Sequence, residues 1–152
     1  MQLSKNFYLS EFTKSELATR KGLDNTPDAF ITRRLKDLCE KVLQPLRDKL
    51  NQPIIVNSGY RSPAVNKLVG GSDKSQHCLG QAADIEVPGM SNKALAEFIK
   101  LHLPYDQLIL EFWDGLSPNS GWVHVSYKIE SLRKQYLWAK LVNGKTVYEV
   151  MK

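Results

Sequence analysis

Apolar residues recur at three- and four-residue spacing in the first third of the chain: Ile31, Leu35, Leu38, Cys39, Val42, Leu43, Leu46 and Leu50. That spacing draws one apolar stripe along a long helix. Thr26 is its expected N-cap, with Pro27 in the first turn and Asp28 favoured at the positive helix end. Pro45 falls inside the stripe and should kink or restart the helix, because it removes a backbone donor. Residues 1–25 read as an arm with one short helix, capped by Ser10 and ended at Lys21-Gly22. Beyond the long helix the period falls to two. Residues 53–57, 82–87, 107–112 and 122–127 read as strands, and the last three each divide into two faces. Between them, Ser62-Pro63 opens a short helix that stops at Gly70-Gly71, and Ser91 caps a helix after the turn at Pro88-Gly89. Residues 136–142 and 146–150 flank Asn143-Gly144, a strong hairpin signal. With no repeat and no low-complexity linker, the pattern predicts one α+β domain over residues 1–152. Its sheet should be small and antiparallel, with helices packed on one face and a groove on the other.

Alternation also sorts the chemistry. Asp84 and Glu86 share a strand face opposite Ala83, Ile85 and Val87. Glu111 shares a face with Gln107 and Ile109, and His124 with Trp122 and Ser126. If these strands form one sheet, Asp84, Glu111 and His124 meet on its polar surface, and His77 arrives from the preceding loop. A carboxylate at a strand's start needs water or a positive partner, since burying it unpaired is costly. Each strand histidine is either a satisfied polar group or a ligand. Two imidazoles and one carboxylate form a zinc set that leaves a fourth position for water. Such a metal lowers the pKa of that water and polarises a carbonyl, the chemistry of amide hydrolysis. His102, between Leu101 and Leu103 at a helix end, has no such companions.

Composition changes this picture little. Net charge is +5, from 21 Lys and Arg against 16 Asp and Glu, which suits an anionic partner such as nucleic acid, a cell wall or a membrane surface. The basic residues are spread, with no run longer than Arg33-Arg34, so no nucleic-acid partner is expected. Cys39 falls on the helical stripe and Cys78 beside His77; with no Cys-x-x-Cys, both read as packing residues. No apolar run reaches the ~20 residues of a membrane span, and the first residues lack a signal peptide's apolar core. A chain of this kind is made in the cytoplasm and needs another agent to release it.

Three motifs carry a resemblance: Ser58-Gly59-Tyr60-Arg61-Ser62-Pro63, then Ser75-x-His77-x-x-Gly80-x-Ala82-x-Asp84, then Trp122-Val123-His124. Together they resemble the zinc D-Ala-D-Ala carboxypeptidases and L-alanyl-D-glutamate peptidases, which belong with the hedgehog-type and lysostaphin-type metallopeptidases. The chain looks most like their phage- and prophage-encoded branch. That likeness implies a hedgehog/DD-peptidase-like fold and a monomeric zinc metallopeptidase domain. It implies one Zn2+ on His77, Asp84 and His124, Arg61 binding or stabilising the substrate carbonyl or carboxylate, and Ser75 lining the substrate site. The implied partner is a peptidoglycan stem peptide, met after phage-type release. The likeness departs in one place. Some relatives carry a general-base carboxylate three residues before the last zinc histidine, where this chain has Gly121, and others have His-x-His, where it has Trp122. Glu111 is then the first candidate base and Asp114 the second. The alternative expectation is a non-catalytic zinc module that binds wall or a protein partner.

Overall fold

The computed structural model describes residues 1–152. The N-terminal arm forms an antiparallel pair, β1 (Gln2–Ser4) and β2 (Phe7–Tyr8), followed by α1 (Leu9–Thr13) and α2 (Glu16–Lys21). The single helix expected here is therefore two. Lys14 is extended, and Ser15 rather than Ser10 caps the second helix by accepting from the Ala18 N–H. Gly22 ends α2 in the left-handed conformation, as the sequence predicts.

The long stripe is also segmented. Helix α3 (Ala29–Leu38) is capped by Asp28, whose carboxylate accepts the Ile31 N–H at 2.8 Å. Thr26, the expected cap, instead lies in the preceding turn and donates its N–H to Asp24. A π-helical turn over Cys39–Leu43 then leads into α4 (Gln44–Leu50). The Gln44 N–H reaches the Cys39 carbonyl, five residues back. This wide turn comes directly before Pro45, which then sits in the first turn of α4, where a missing N–H costs little. The helix restarts rather than kinks, and Leu35, Leu38, Cys39, Val42, Leu43 and Leu46 stay on one buried stripe.

Six strands form the main sheet: β3 (Ile55–Ser58), β4 (Ala82–Glu86), β5 (Gln107–Glu111), β6 (Trp122–Ser126), β7 (Gln135–Val142) and β8 (Lys145–Val150). Their spatial order is β3-β4-β6-β5-β7-β8. Helix α5 (Pro63–Leu68), capped by Ser62, joins β3 to the loop before β4, and α6 (Asn92–His102), capped by Ser91, precedes β5. All neighbouring strands are antiparallel except β5 and β7, which are parallel. The exception follows from the path of the chain: β6 already occupies one edge of β5, so residues 127–134 cross over the end of β5 and β7 pairs on its far side. Val56, Ala83, Ile85, Leu108, Leu110, Val123 and Val125 point to one face, where they pack against the helical stripe and Leu95 and Ile99 of α6. Each of the Val, Leu and Ile side chains contributes about 1.5–3 kcal/mol when fully buried. No helix is long and apolar enough to cross a membrane.

Two contacts hold the other face in place. The Tyr60 N–H donates to the Phe12 carbonyl at 2.7 Å, which seats α1 against the end of β3. A Cβ on Gly59 would come within 2.7 Å of the Phe12 backbone, so only glycine allows this approach. At the start of β5, the fully buried Asp106 carboxylate accepts from the Arg133 backbone N–H, from Arg133 Nε and Nη2, and from Gln76 Nε2. These bonds anchor the 127–134 crossover to β5 and to the loop that carries His77.

Gly59→Ala should lower the unfolding free energy by about 1–3 kcal/mol through forced displacement of α1, read by urea denaturation. Burial pushes the Asp106 carboxyl up, but the hydrogen bonds and charge of Arg133 reverse this and hold it below the usual range. The stabilisation is therefore complete above an unfolded carboxyl's pKa of about 3.9 and fades as pH falls through the lower folded value. Arg133→Leu should lose about 2 kcal/mol at neutral pH, the low end for a broken buried pair because Arg133 is partly exposed. Its deficit relative to wild type should shrink below about pH 4, in denaturation curves taken at several pH values.

Candidate metal centre

His77 lies in the tight loop before β4. The Cys78 N–H donates to the Ser75 carbonyl and the Gln81 N–H to the Gln76 carbonyl, while Ser75 Oγ accepts from the His77 N–H. Gly80 closes the loop with φ 71°, and a Cβ there would meet Ile31 at 2.8 Å. His77 is 3% exposed, and its Nδ1 is 2.7 Å from the Gly59 carbonyl. A carbonyl only accepts, so Nδ1 carries the proton and Nε2 is left as the donor atom facing Asp84 Oδ1, 3.3 Å away.

Strand pairing supplies the remaining donors. Asp84 of β4 stands directly opposite His124 of β6, and His124 Nδ1 is 3.2 Å from the same Asp84 oxygen. The two imidazole rings are 5.0 Å apart at 70°. Burial alone pushes the Asp84 carboxyl up, yet the facing His124 and His77 imidazoles outweigh it and hold it well below the usual carboxylate range. One atom from each of His77, Asp84 and His124 lies within 4.8 Å of the others. A tetrahedral zinc with arms of about 2.0–2.1 Å separates its ligands by about 3.3 Å. Both imidazole-to-carboxylate spacings match that edge, so the three-donor set fits one zinc ion with a fourth position open.

These donors floor a cleft of about 580 Å³, whose lining includes Arg61, Ser75, Glu111, Trp122 and Tyr148. The Arg61 N–H donates to the His77 carbonyl, and its Nη2 lies 3.5 Å from Ser75 Oγ. Its Nε is buried with no partner, a donor still to be satisfied. Glu111 stands on the same sheet face, one pairing step from His124, because Ile109 faces His124 and Glu111 faces Trp122. Burial raises the Glu111 carboxyl; His124 opposes this, Asp84 adds to it, and Arg61 opposes it.

The structure separates the two candidate bases. Asp114 sits outside the cleft in the β5–β6 loop, where its carboxylate accepts the Leu116 and Ser117 N–H groups at 2.8 and 2.7 Å. It shapes a turn. Gly121 has φ 69°, and a Cβ there would lie 2.1 Å from the Glu111 carbonyl. This backbone has no room for a carboxylate at that position. His102 packs its ring on Phe98 at 4.4 Å, on α6, and Cys78 does not line the cleft. Sequence alternation missed Gln76, Asp106 and Arg133, whose pairing spans 27 residues or more, and gave no sign that Phe112 and Tyr148 line the cleft.

Comparison with known proteins places this geometry in context. A zinc D-Ala-D-Ala carboxypeptidase from Streptomyces albus G is 39% identical over 61 residues, which is 40% of this chain and 24% of that protein. The matched segment thus spans about a quarter of that relative's length. The family model for peptidase M15 matches residues 5–126, a span that holds His77, Asp84 and His124 together with Arg61, Ser75 and Glu111. With most of its length inside that match, the chain belongs to the peptidase M15 family.

Proposed function

We propose that this chain is a zinc-dependent peptidase that hydrolyses an amide bond in a peptidoglycan stem peptide, of the D-Ala-D-Ala or L-alanyl-D-glutamate type. The observation that carries the reading is one cleft holding both a three-donor cluster and a separate half-buried carboxylate, Glu111. The relative from Streptomyces is named for zinc and for D-Ala-D-Ala cleavage, which supports the same chemistry here.

His77, Asp84 and His124 would hold the ion, and the Gly59 carbonyl fixes the His77 ring with Nε2 toward Asp84. Zinc bound there supplies Lewis acidity and a lowered pKa for water. Glu111 takes the proton from the attacking water and passes it to the leaving amine. Its raised carboxyl suits both duties, because a base titrating nearer the working pH also gives its proton back readily. Arg61 offers its guanidinium fork to the substrate carbonyl or carboxylate. Ser75 holds the His77 loop and lines the substrate side. The positive net charge favours approach to an anionic wall, which a phage-type release would open to the chain.

The absence of a carboxylate at Gly121 favours a second reading, a zinc module that binds wall or a protein partner without turnover. One set of measurements separates the two. The zinc-loaded protein should release new fragments from muropeptides and stop when a chelator is added. Glu111→Gln should keep its zinc and lose about 10²–10⁴-fold in kcat/KM, the usual worth of a general base. Because Glu111 accepts a proton only when ionised, the rate should rise with pH through a value above the ordinary carboxyl range. His124→Ala should lose the metal, read by elemental analysis. Stoichiometric zinc with no fragment from the wild type would leave the binding module standing.

A further inference from the structure

Past residue 126, where the family match ends, the chain adds the crossover and the β7–β8 hairpin. Leu137, Thr146 and Tyr148 of this hairpin line the same cleft as the metal donors. Pairing registers set Trp122, Glu111, Ala139 and Tyr148 in one row across β6, β5, β7 and β8. Ala139 is fully buried, so only a methyl group stands between Glu111 and the Tyr148 ring. The charge of Glu111 reaches that ring: burial raises the Tyr148 phenol and Glu111 raises it further, which keeps its hydroxyl a donor. Tyr148 is 54% exposed and therefore open to a ligand. Beside it, Phe112 holds a left-handed φ of 55°, unusual for a bulky residue, and rests its ring 5.4 Å from Trp122.

The length of the cleft is informative. It crosses the adjacent strands β4, β6, β5, β7 and β8. Four strand spacings amount to about 19 Å, and an extended peptide covers that distance in five to six residues. The metal donors stand on β4, β6 and the loop before β4, near Arg61, at one end, and Tyr148 and Thr146 stand at the other. A dipeptide centred on the donors would not reach the hairpin.

We propose that the β7–β8 hairpin is the specificity element of this cleft. It binds the far end of an extended peptide of about five residues, with Tyr148 as the principal contact, while the bond at the metal donors lies near the end held by Arg61. This inference rests on the peptidase reading for the nature of its ligand. Thr146, Gln107 and the Tyr148 hydroxyl offer partners for peptide amides along that path. The aromatic rings of Tyr148, Trp122 and Phe112 offer apolar contact area.

Calorimetry on zinc-loaded Glu111→Gln protein tests it, using a synthetic stem pentapeptide and the dipeptides from each of its ends. The pentapeptide should bind at least about tenfold tighter than either dipeptide. Adding Tyr148→Ala should remove about tenfold of the pentapeptide affinity, in line with one aromatic contact plus its hydrogen bond. Tyr148→Phe should keep part of it. Zinc content and circular dichroism check that each variant is folded and loaded. Equal affinity for long and short peptides overturns the proposal, and so does a Tyr148→Ala loss that is absent or the same for both lengths. Length-dependent binding without cleavage by the wild type would sink the peptidase reading and leave the hairpin's role standing. Cleavage without any length dependence in binding would do the reverse.

Discussion

A single buried oxygen, Oδ1 of Asp84, organises this molecule. Two imidazoles approach it at 3.2 and 3.3 Å, one from the neighbouring strand and one from the preceding loop. A carboxylate so enclosed is tolerated only with positive or hydrogen-bonding partners, and both partners here belong to the site. Each is in turn held by distant parts of the chain. The His77 ring depends on the Gly59 carbonyl, and Gly59 depends on the close approach of α1. His124 depends on its register with Asp84, which the β4–β6 pairing sets.

The sheet resolves a conflict between burial and chemistry by its two-residue period. Ala83, Ile85, Val123 and Val125 fill the core on one side, and the residues between them carry the donors on the other. A register slip of one residue would bury Asp84 and His124 in the apolar core and expose the valines. The core that stabilises the sheet therefore also fixes the geometry of the metal donors. Asp106 extends this support, because it joins the crossover, β5 and Gln76, the residue before His77, through one buried carboxylate.

Position 121 shows backbone packing dictating residue type. The turn into β6 brings Gly121 so near the Glu111 carbonyl that a side chain is excluded. The half-buried Glu111 carboxylate of the cleft stands on the adjacent strand, at the register position facing Trp122. The hairpin beyond the family match then closes the far side of the cleft, and Ala139 leaves room for Tyr148 to face Glu111.

The local pattern determined a good deal. The helical stripe, the caps at Ser62 and Ser91, the Asn143-Gly144 hairpin and the faces of β4, β5 and β6 all follow from period and turn chemistry. So do the strand faces that carry Asp84, Glu111 and His124, because alternation is a property of each strand alone; their meeting on one surface required β4, β6 and β5 to be neighbours. Boundaries were less legible where two residues compete for one role. Asp28 rather than Thr26 caps α3, Ser15 rather than Ser10 caps a helix of the arm, and a π turn accommodates Pro45. Tertiary structure alone decided the parallel pairing of β5 with β7, the Asp106–Arg133 anchor and the placement of Tyr148. Each of these depends on which strands become neighbours, a choice made by burial of the whole core rather than by any short stretch of residues.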